Sequence, residues 1–152
     1  MPQETFPKPT YPFQFIEMDF IQLNKCEGKC NALVVIYKFS KWIEIFPTGH
    51  PEAISVAKAL CREIIPRYGI PEKMYCYNGT HFVNEVIEKM SRSLGIQIKY
   101  HCAYHPQSAG LVERANQTIK SKLPKAMEET GKNCLYCIPR SCYMGDHMLF
   151  QH

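Results

Sequence analysis

One hundred and fifty-two residues make room for one ordinary domain. With 45% hydrophobic and 21% charged residues and a mean hydropathy of −0.27, the chain excludes disordered, collagen-like and coiled-coil readings. A net charge of +4, from 18 Lys and Arg against 14 Asp and Glu, permits a polyanionic partner without demanding one.

Residues 1–13 hold four prolines and two phenylalanines and read as an extended leader. Its first residues, Met-Pro-Gln-Glu-Thr-Phe-Pro-Lys-Pro, lack the apolar core of a secretory signal, and the longest apolar run, Ala32–Tyr37, is far too short to span a membrane. From Phe15 to Leu23 two residue sets alternate with a period of two, which predicts a strand. Asn24 to Asn31 reads as a turn, Ala32–Tyr37 as a buried strand, and Trp42–Phe46 as a third strand ending at Pro47. The period then changes. Ile54, Val56, Ala57, Leu60, Ile64 and Ile65 recur at helical spacing after Pro51-Glu52, and Pro66 to Gly69 closes that helix. A short strand at Lys73–Tyr77 precedes an Asn78-Gly79 turn. Val83, Val86, Ile87, Met90 and Leu94 then mark a second helix up to Gly95. Ile96–Tyr100 is a fifth strand, and a third helix runs from about Gln107 to Glu129, with Pro124 a point for a kink. The order β-β-β-α-β-α-β-α describes an α/β fold: a five-stranded mixed sheet, its first three strands antiparallel, flanked by helices. Residues 1–12 form the leader, 13–133 the domain, and 134–152 an irregular tail without period.

Eight cysteines without a signal peptide point to reduced thiols inside the cell. Cys134, Cys137 and Cys142 with His147 would supply four soft ligands for zinc. The plainer reading is small hydrophobes in the tail, since no second Cys or His pair supports a site. Only two aspartates occur, Asp19 and Asp146. A carboxylate in the middle of a strand, like Asp19, is costly to bury unless paired or metal-bound; the alternative is a solvated residue on an open edge strand. Glu113, early in the third helix, would by itself be an ordinary solvated side chain.

Four stretches change their weight: Ile16-Glu17-Met18-Asp19-Phe20, Phe39-Ser40-Lys41-Trp42-Ile43-Glu44, Asn78-Gly79-Thr80-His81-Phe82, and the run from His101 to Asn116 containing His105-Pro106-Gln107-Ser108-Ala109-Gly110-Leu111-Val112-Glu113-Arg114. On these the chain resembles the catalytic core of retroviral and LTR-retrotransposon integrases, closest to those of simple retroviruses, from about Pro12 to Asn133. The resemblance implies a ribonuclease H-like fold, in agreement with the element order above. It also implies polynucleotidyl transfer with Mg2+ or Mn2+ held by two aspartates and a glutamate. Two cations about 4 Å apart activate the attacking oxygen and stabilise the leaving one. Asp19 matches the first ligand and Glu113 the third.

The position of the second ligand is Tyr77, in Tyr77-Asn78-Gly79 where the family has Asp-Asn-Gly. The 35 residues between Tyr77 and Glu113 keep the family's spacing. A phenol is neutral near pH 7 and a poor ligand for a hard cation, so metal binding is expected to be weak or absent and strand transfer lost. Glu85 lies on the following helix and points along a different element. Tyr37 likewise stands where the family commonly has an aspartate, and Cys134 where a tryptophan is usual. Such departures suit a core-only retroelement remnant, without the zinc-binding N-terminal and small C-terminal domains of full integrases.

For DNA, Arg114, Asn116, Gln117, Lys120, Ser121, Lys122 and Lys125 on the third helix suit phosphate contacts, and Asn78 and Gly79 suit a loop near the backbone; the plain alternative is a solvated helix face. Phe39 and Trp42 read as core. The expected partners are DNA and, through helix faces, a second copy; no membrane is involved. The location is intracellular, and nuclear if DNA is bound. The alternative is a co-opted protein–protein interaction module without DNA binding. A third reading is an enzyme acting through an unforeseen ligand.

Overall fold

The computed structural model describes residues 7–22, 31–77, 81–101 and 141–143. Strand β1 (Phe15–Gln22) begins the sheet, followed by β2 (Asn31–Tyr37) and β3 (Trp42–Thr48). These pair antiparallel in sequence, with Met18 opposite Val35 and Val35 opposite Glu44. A helical run follows as α1 (Ala53–Lys58), a π-helical stretch (Ala59–Ile64) and α2 (Ile65–Tyr68). It carries the chain across the sheet to β4 (Lys73–Tyr77), which lies parallel to β1 on its other side. Helix α3 (Glu85–Leu94) then leads to β5 (Gln97–His101), parallel to β4.

The five strands expected from the periodicity are all present. One correction falls on the tail: Ser141–Tyr143, read as irregular, forms a sixth strand, β6, antiparallel to β3. The sheet order is therefore β5-β4-β1-β2-β3-β6. Three residues are too few to display a period, so only pairing with the exposed β3 edge reveals such a strand.

The mixed topology puts β1 in the interior of the sheet, with every residue from Phe15 to Ile21 buried. One face carries Ile16, Met18, Phe20, Leu33, Val35, Met74 and Cys76. It packs on Val56, Leu60 and Ile64 of the helical run and on Ile87 of α3. The other face holds Phe15, Ile21, Val34, Ile36, Ile43 and Ile45, also buried, among which sit the carboxylates of Glu17 and Asp19.

The first helix closes within the expected Pro66–Gly69 segment. It continues through Pro66 to Tyr68 and stops at Gly69, whose φ of +86° lies where glycine is favoured. Proline has no N–H to donate and crowds the carbonyl four residues back; the wider π-helical turn immediately before it accommodates that fault. Helix α3 starts later than its apolar pattern suggested. The Asn84 side chain accepts from the Val86 N–H at 2.8 Å, and Gly95 caps the other end at φ +74°. Val83 and Val86, counted on the apolar face, are 59% and 54% exposed, and Phe39, expected in the core, is 47% exposed. Trp42 does pack against the core as a partly buried residue. The end of the leader is anchored too. Phe13 stacks on Tyr68 with centroids 4.1 Å apart and meets the edge of Tyr37.

Candidate functional site

Strand periodicity puts Glu17 and Asp19 on one face of β1, and the parallel register, Glu17 opposite Tyr75 and Met18 opposite Cys76, puts Tyr75 and Tyr77 on the same face of β4. Asp19 therefore lies beside Tyr77, one residue beyond the last paired position. Both are buried, at 6% and 5% exposure. The solvated edge-strand alternative for Asp19 is thereby removed, because β1 has a neighbour on each side.

The Tyr77 hydroxyl leans back along β1 and donates to Glu17 Oε1 at 3.3 Å. The same oxygen is 3.3 Å from Lys38 Nζ, which also sits 4.5 Å over the Tyr75 ring. Glu17 Oε2 is buried and has no hydrogen-bond partner among the described residues. Burial pushes the Glu17 carboxyl above its ordinary value, against the opposing pull of Lys38 and the Tyr77 hydrogen bond. The Tyr77 phenol is driven far above the usual tyrosine range, first by burial, then by the Glu17 charge and the bond to it, with Tyr75 and Asp19 adding. Burial, with the Asp19 charge behind it, also raises the Cys76 thiol. Tyr77 is a neutral hydroxyl whose proton is engaged by Glu17.

A third buried carboxylate lies on the opposite, helix-packed face. Glu44, 1% exposed, accepts from the Tyr37 hydroxyl at 3.1 Å and from Arg67 Nη2 at 2.6 Å. Burial and the Glu44 charge push the Tyr37 phenol up. The two tyrosines that depart from the aspartate pattern are thus each built into the protein as a donor to a buried glutamate. Sequence reading missed both pairs. The reasoning that singled out Asp19, a carboxylate inside a buried strand, applies equally to Glu17 and Glu44; of their donors, Tyr37 lies seven positions from Glu44 across the β2–β3 turn, whereas Lys38, Tyr77 and Arg67 lie 21, 60 and 23 positions away, too far for any local pattern.

Of the expected site residues, the structure brings Asp19 and Tyr77 together. Glu113, Asn78, Gly79, Arg114, Asn116, Gln117, Lys120 and Lys122 lie outside the described residues, as do Ser121, Lys125 and the Cys134–His147 cluster. Glu85 is exposed on α3 and paired with Lys89 at 2.7 Å, away from the sheet interior. Of the cysteines, Cys61 is exposed and Cys76 buried, both as free thiols. Among the described residues no three His, Cys, Asp or Glu side chains are grouped to hold a metal ion. Among the described residues, the donors at the Asp19 end are one carboxylate and one neutral phenol, while Glu17 is engaged by Lys38 and Tyr77. That set does not fit a pair of hard divalent cations, which need shared anionic oxygens.

Residues 9–106 match the family described as integrase core domain. The chain belongs to this family. Integrase-core relatives include the Gag-Pol polyprotein of Walleye dermal sarcoma virus, 43% identical over 81% of this chain and 7% of that protein. The Gag-Pol polyprotein of Koala retrovirus is 43% identical over 84% of this chain and 8% of that protein. The chain thus spans less than a tenth of these two relatives and is an integrase catalytic-core-like domain of retroviral origin. Among solved structures, the catalytic core of BIV integrase superposes with a TM-score of 0.63 at 27% identity, over 77% of this chain and 73% of that one. The HTLV-2 integrase catalytic core, in a dimeric form with magnesium, gives 0.67 at 21% identity over 82% and 79%; it shares the ribonuclease H-like fold. No helix among the described residues is long and apolar enough to cross a membrane.

Proposed function

We propose that this integrase core keeps the family's scaffold and an affinity for DNA but does not catalyse strand transfer. The reading is carried by Tyr77: where the family places its second metal-ligating aspartate, this chain has a buried, protonated phenol hydrogen-bonded to Glu17 beside Asp19. Asp19 and Glu113 are then the catalytic and metal positions that survive, with Mg2+ or Mn2+ held weakly or not at all. The domain comprises residues 13–133. DNA contacts fall to Asn78, Gly79, Arg114, Asn116, Gln117, Lys120 and Lys122, without sequence readout, and such a domain works in the nucleus, alone or as a homodimer.

The test is incubation of the purified chain with viral-end and plasmid DNA in Mg2+ and in Mn2+, scored for nicking and strand transfer. Neither should appear, while DNA binding should weaken steeply with salt. Metal-dependent cleavage abolished by Glu113→Gln would overturn the inactive reading. Salt-independent absence of binding would instead favour a protein-interaction module.

A further inference from the structure

At the start of β1, away from Asp19, the β2–β3 turn and the segment entering β1 enclose an open groove of about 360 Å3. Pro7, Lys8, Pro9, Lys38, Phe39 and Lys41 line it. The Lys38 N–H donates to the Phe15 carbonyl at 3.0 Å, and Phe15 precedes Asp19 by four residues, about 13 Å along the strand. The groove therefore lies at the start of the strand and Asp19 at its middle, with Lys38, which lines the groove, reaching the Glu17 oxygen that Tyr77 also bonds.

Among the described residues that line it, three are lysines and none is acidic. Lys38 is engaged by Glu17, whereas Lys8 and Lys41 are exposed. Between them Phe39 stands 47% exposed. It is held there by a tightly bonded turn: the Lys41 N–H donates to the Tyr37 carbonyl at 2.8 Å, Lys41 Nζ to the Lys38 carbonyl at 3.0 Å, and the Trp42 N–H to Ser40 Oγ at 3.2 Å. Lys41 adopts φ +65°, a left-handed conformation uncommon outside glycine. The turn therefore presents a large aromatic ring to water, flanked by cations, on a backbone locked by hydrogen bonds.

We propose that this groove is a contact site for single-stranded nucleic acid, with one unpaired base against Phe39 and neighbouring phosphates at Lys8 and Lys41. Charge complementarity selects an anionic occupant, and the exposed ring selects one with a flat face to stack. A duplex keeps its bases stacked on each other and has no face free for Phe39. An acidic peptide would use the lysines and leave the ring idle. The site is independent of the DNA affinity proposed for the 114–122 region.

The test follows a fluorescein-labelled oligothymidylate by anisotropy across a salt series. Phe39→Ala should weaken binding at least about fivefold, the lower end for losing one base–aromatic stack. Lys8→Ala with Lys41→Ala should reduce the slope of log affinity against log salt by about 1.4, from about 0.7 per phosphate contact on a single strand. Emission from Trp42, the single tryptophan and the neighbour of Lys41, should change as the oligonucleotide titrates the wild-type chain. Duplex binding should be indifferent to Phe39→Ala. All three residues are exposed, and circular dichroism verifies that the variants fold. Unchanged affinity and slope in the groove variants, with binding lost in Lys120→Ala/Lys122→Ala, would overturn this site and leave the proposed DNA affinity standing. Displacement of the oligonucleotide by an oligoglutamate peptide of equal affinity would overturn it in favour of a peptide site.

Discussion

On the proposed reading, replacing Tyr77 with aspartate returns the carboxylate that the resemblance to integrases expects there, and the structure sets what that change does with and without metal. Tyr77 is 5% exposed, so Tyr77→Asp empties most of a buried ring, a loss of about 3–5 kcal/mol for large aromatic truncations. The 3.3 Å hydrogen bond to Glu17 goes with it, about another 1 kcal/mol. The new carboxylate also joins Glu17 and Asp19 on one buried face, where like charges oppose folding. Metal-free Tyr77→Asp should therefore lose about 4–6 kcal/mol, a fall in Tm of roughly 10–20 °C at about 2–4 °C per kcal/mol for a domain of this size. A cation that binds only the folded chain returns RT ln(1 + [L]/Kd), about 2.7 kcal/mol at a hundredfold excess over Kd, or roughly 5–10 °C. The assay is Tm by differential scanning fluorimetry against Mn2+ and Mg2+ for both proteins. Tyr77→Asp should start lower and rise with metal, while the wild-type chain hardly responds. A variant that melts no higher in millimolar Mn2+ than in chelator would refute the idea that one lost ligand separates this scaffold from a metal site.

Two further outcomes follow from the buried carboxylates. The Glu17 carboxyl is raised above 4.5 in the folded chain, so the folded state holds this proton more tightly than the unfolded one. Its contribution is therefore fully present at low pH and falls away as pH rises from about 4.5 through the raised value. Glu17→Gln should flatten that falling limb in urea midpoints measured across the acid range, and an unchanged slope would discount the buried charge. Arg67→Met should leave Glu44 buried without its cation. Removing one partner of a buried pair costs about 3–5 kcal/mol, and because the Arg67 side chain is 43% exposed we expect about 2–3 kcal/mol by urea denaturation. Adding Glu44→Gln should recover more than half of it; no recovery would mean that Arg67 acts through packing.

Much of the architecture was legible because each element declares itself locally. The alternating stretch at Phe15–Gln22, the apolar run at Asn31–Tyr37 and the short strand Lys73–Tyr77 stand within a residue of where the sequence places them. The exposed positions of Phe39, Val83 and Val86 were not legible. A hydrophobic residue on a turn or at a helix start carries no local mark of whether something packs on it. Strand β6 was hidden for a related reason: three residues become a strand only through the edge they pair with.

The family and the 35 residues between Tyr77 and Glu113 are properties of covalent order, and the sequence alone determined them, as it did the proposal that Tyr77 stands at the second ligand's position. What Tyr77 does there was decided by the tertiary structure. The parallel pairing of β1 with β4 brings together residues 60 positions apart, puts the phenol beside Asp19 and points its hydroxyl at Glu17. Helix packing likewise brings Arg67 to Glu44 from 23 positions away, beside the Tyr37 hydroxyl that the β2–β3 pairing supplies from seven positions away. A buried carboxylate needs donors, and strand pairing and helix packing, not nearness in the chain, determine which donors reach it.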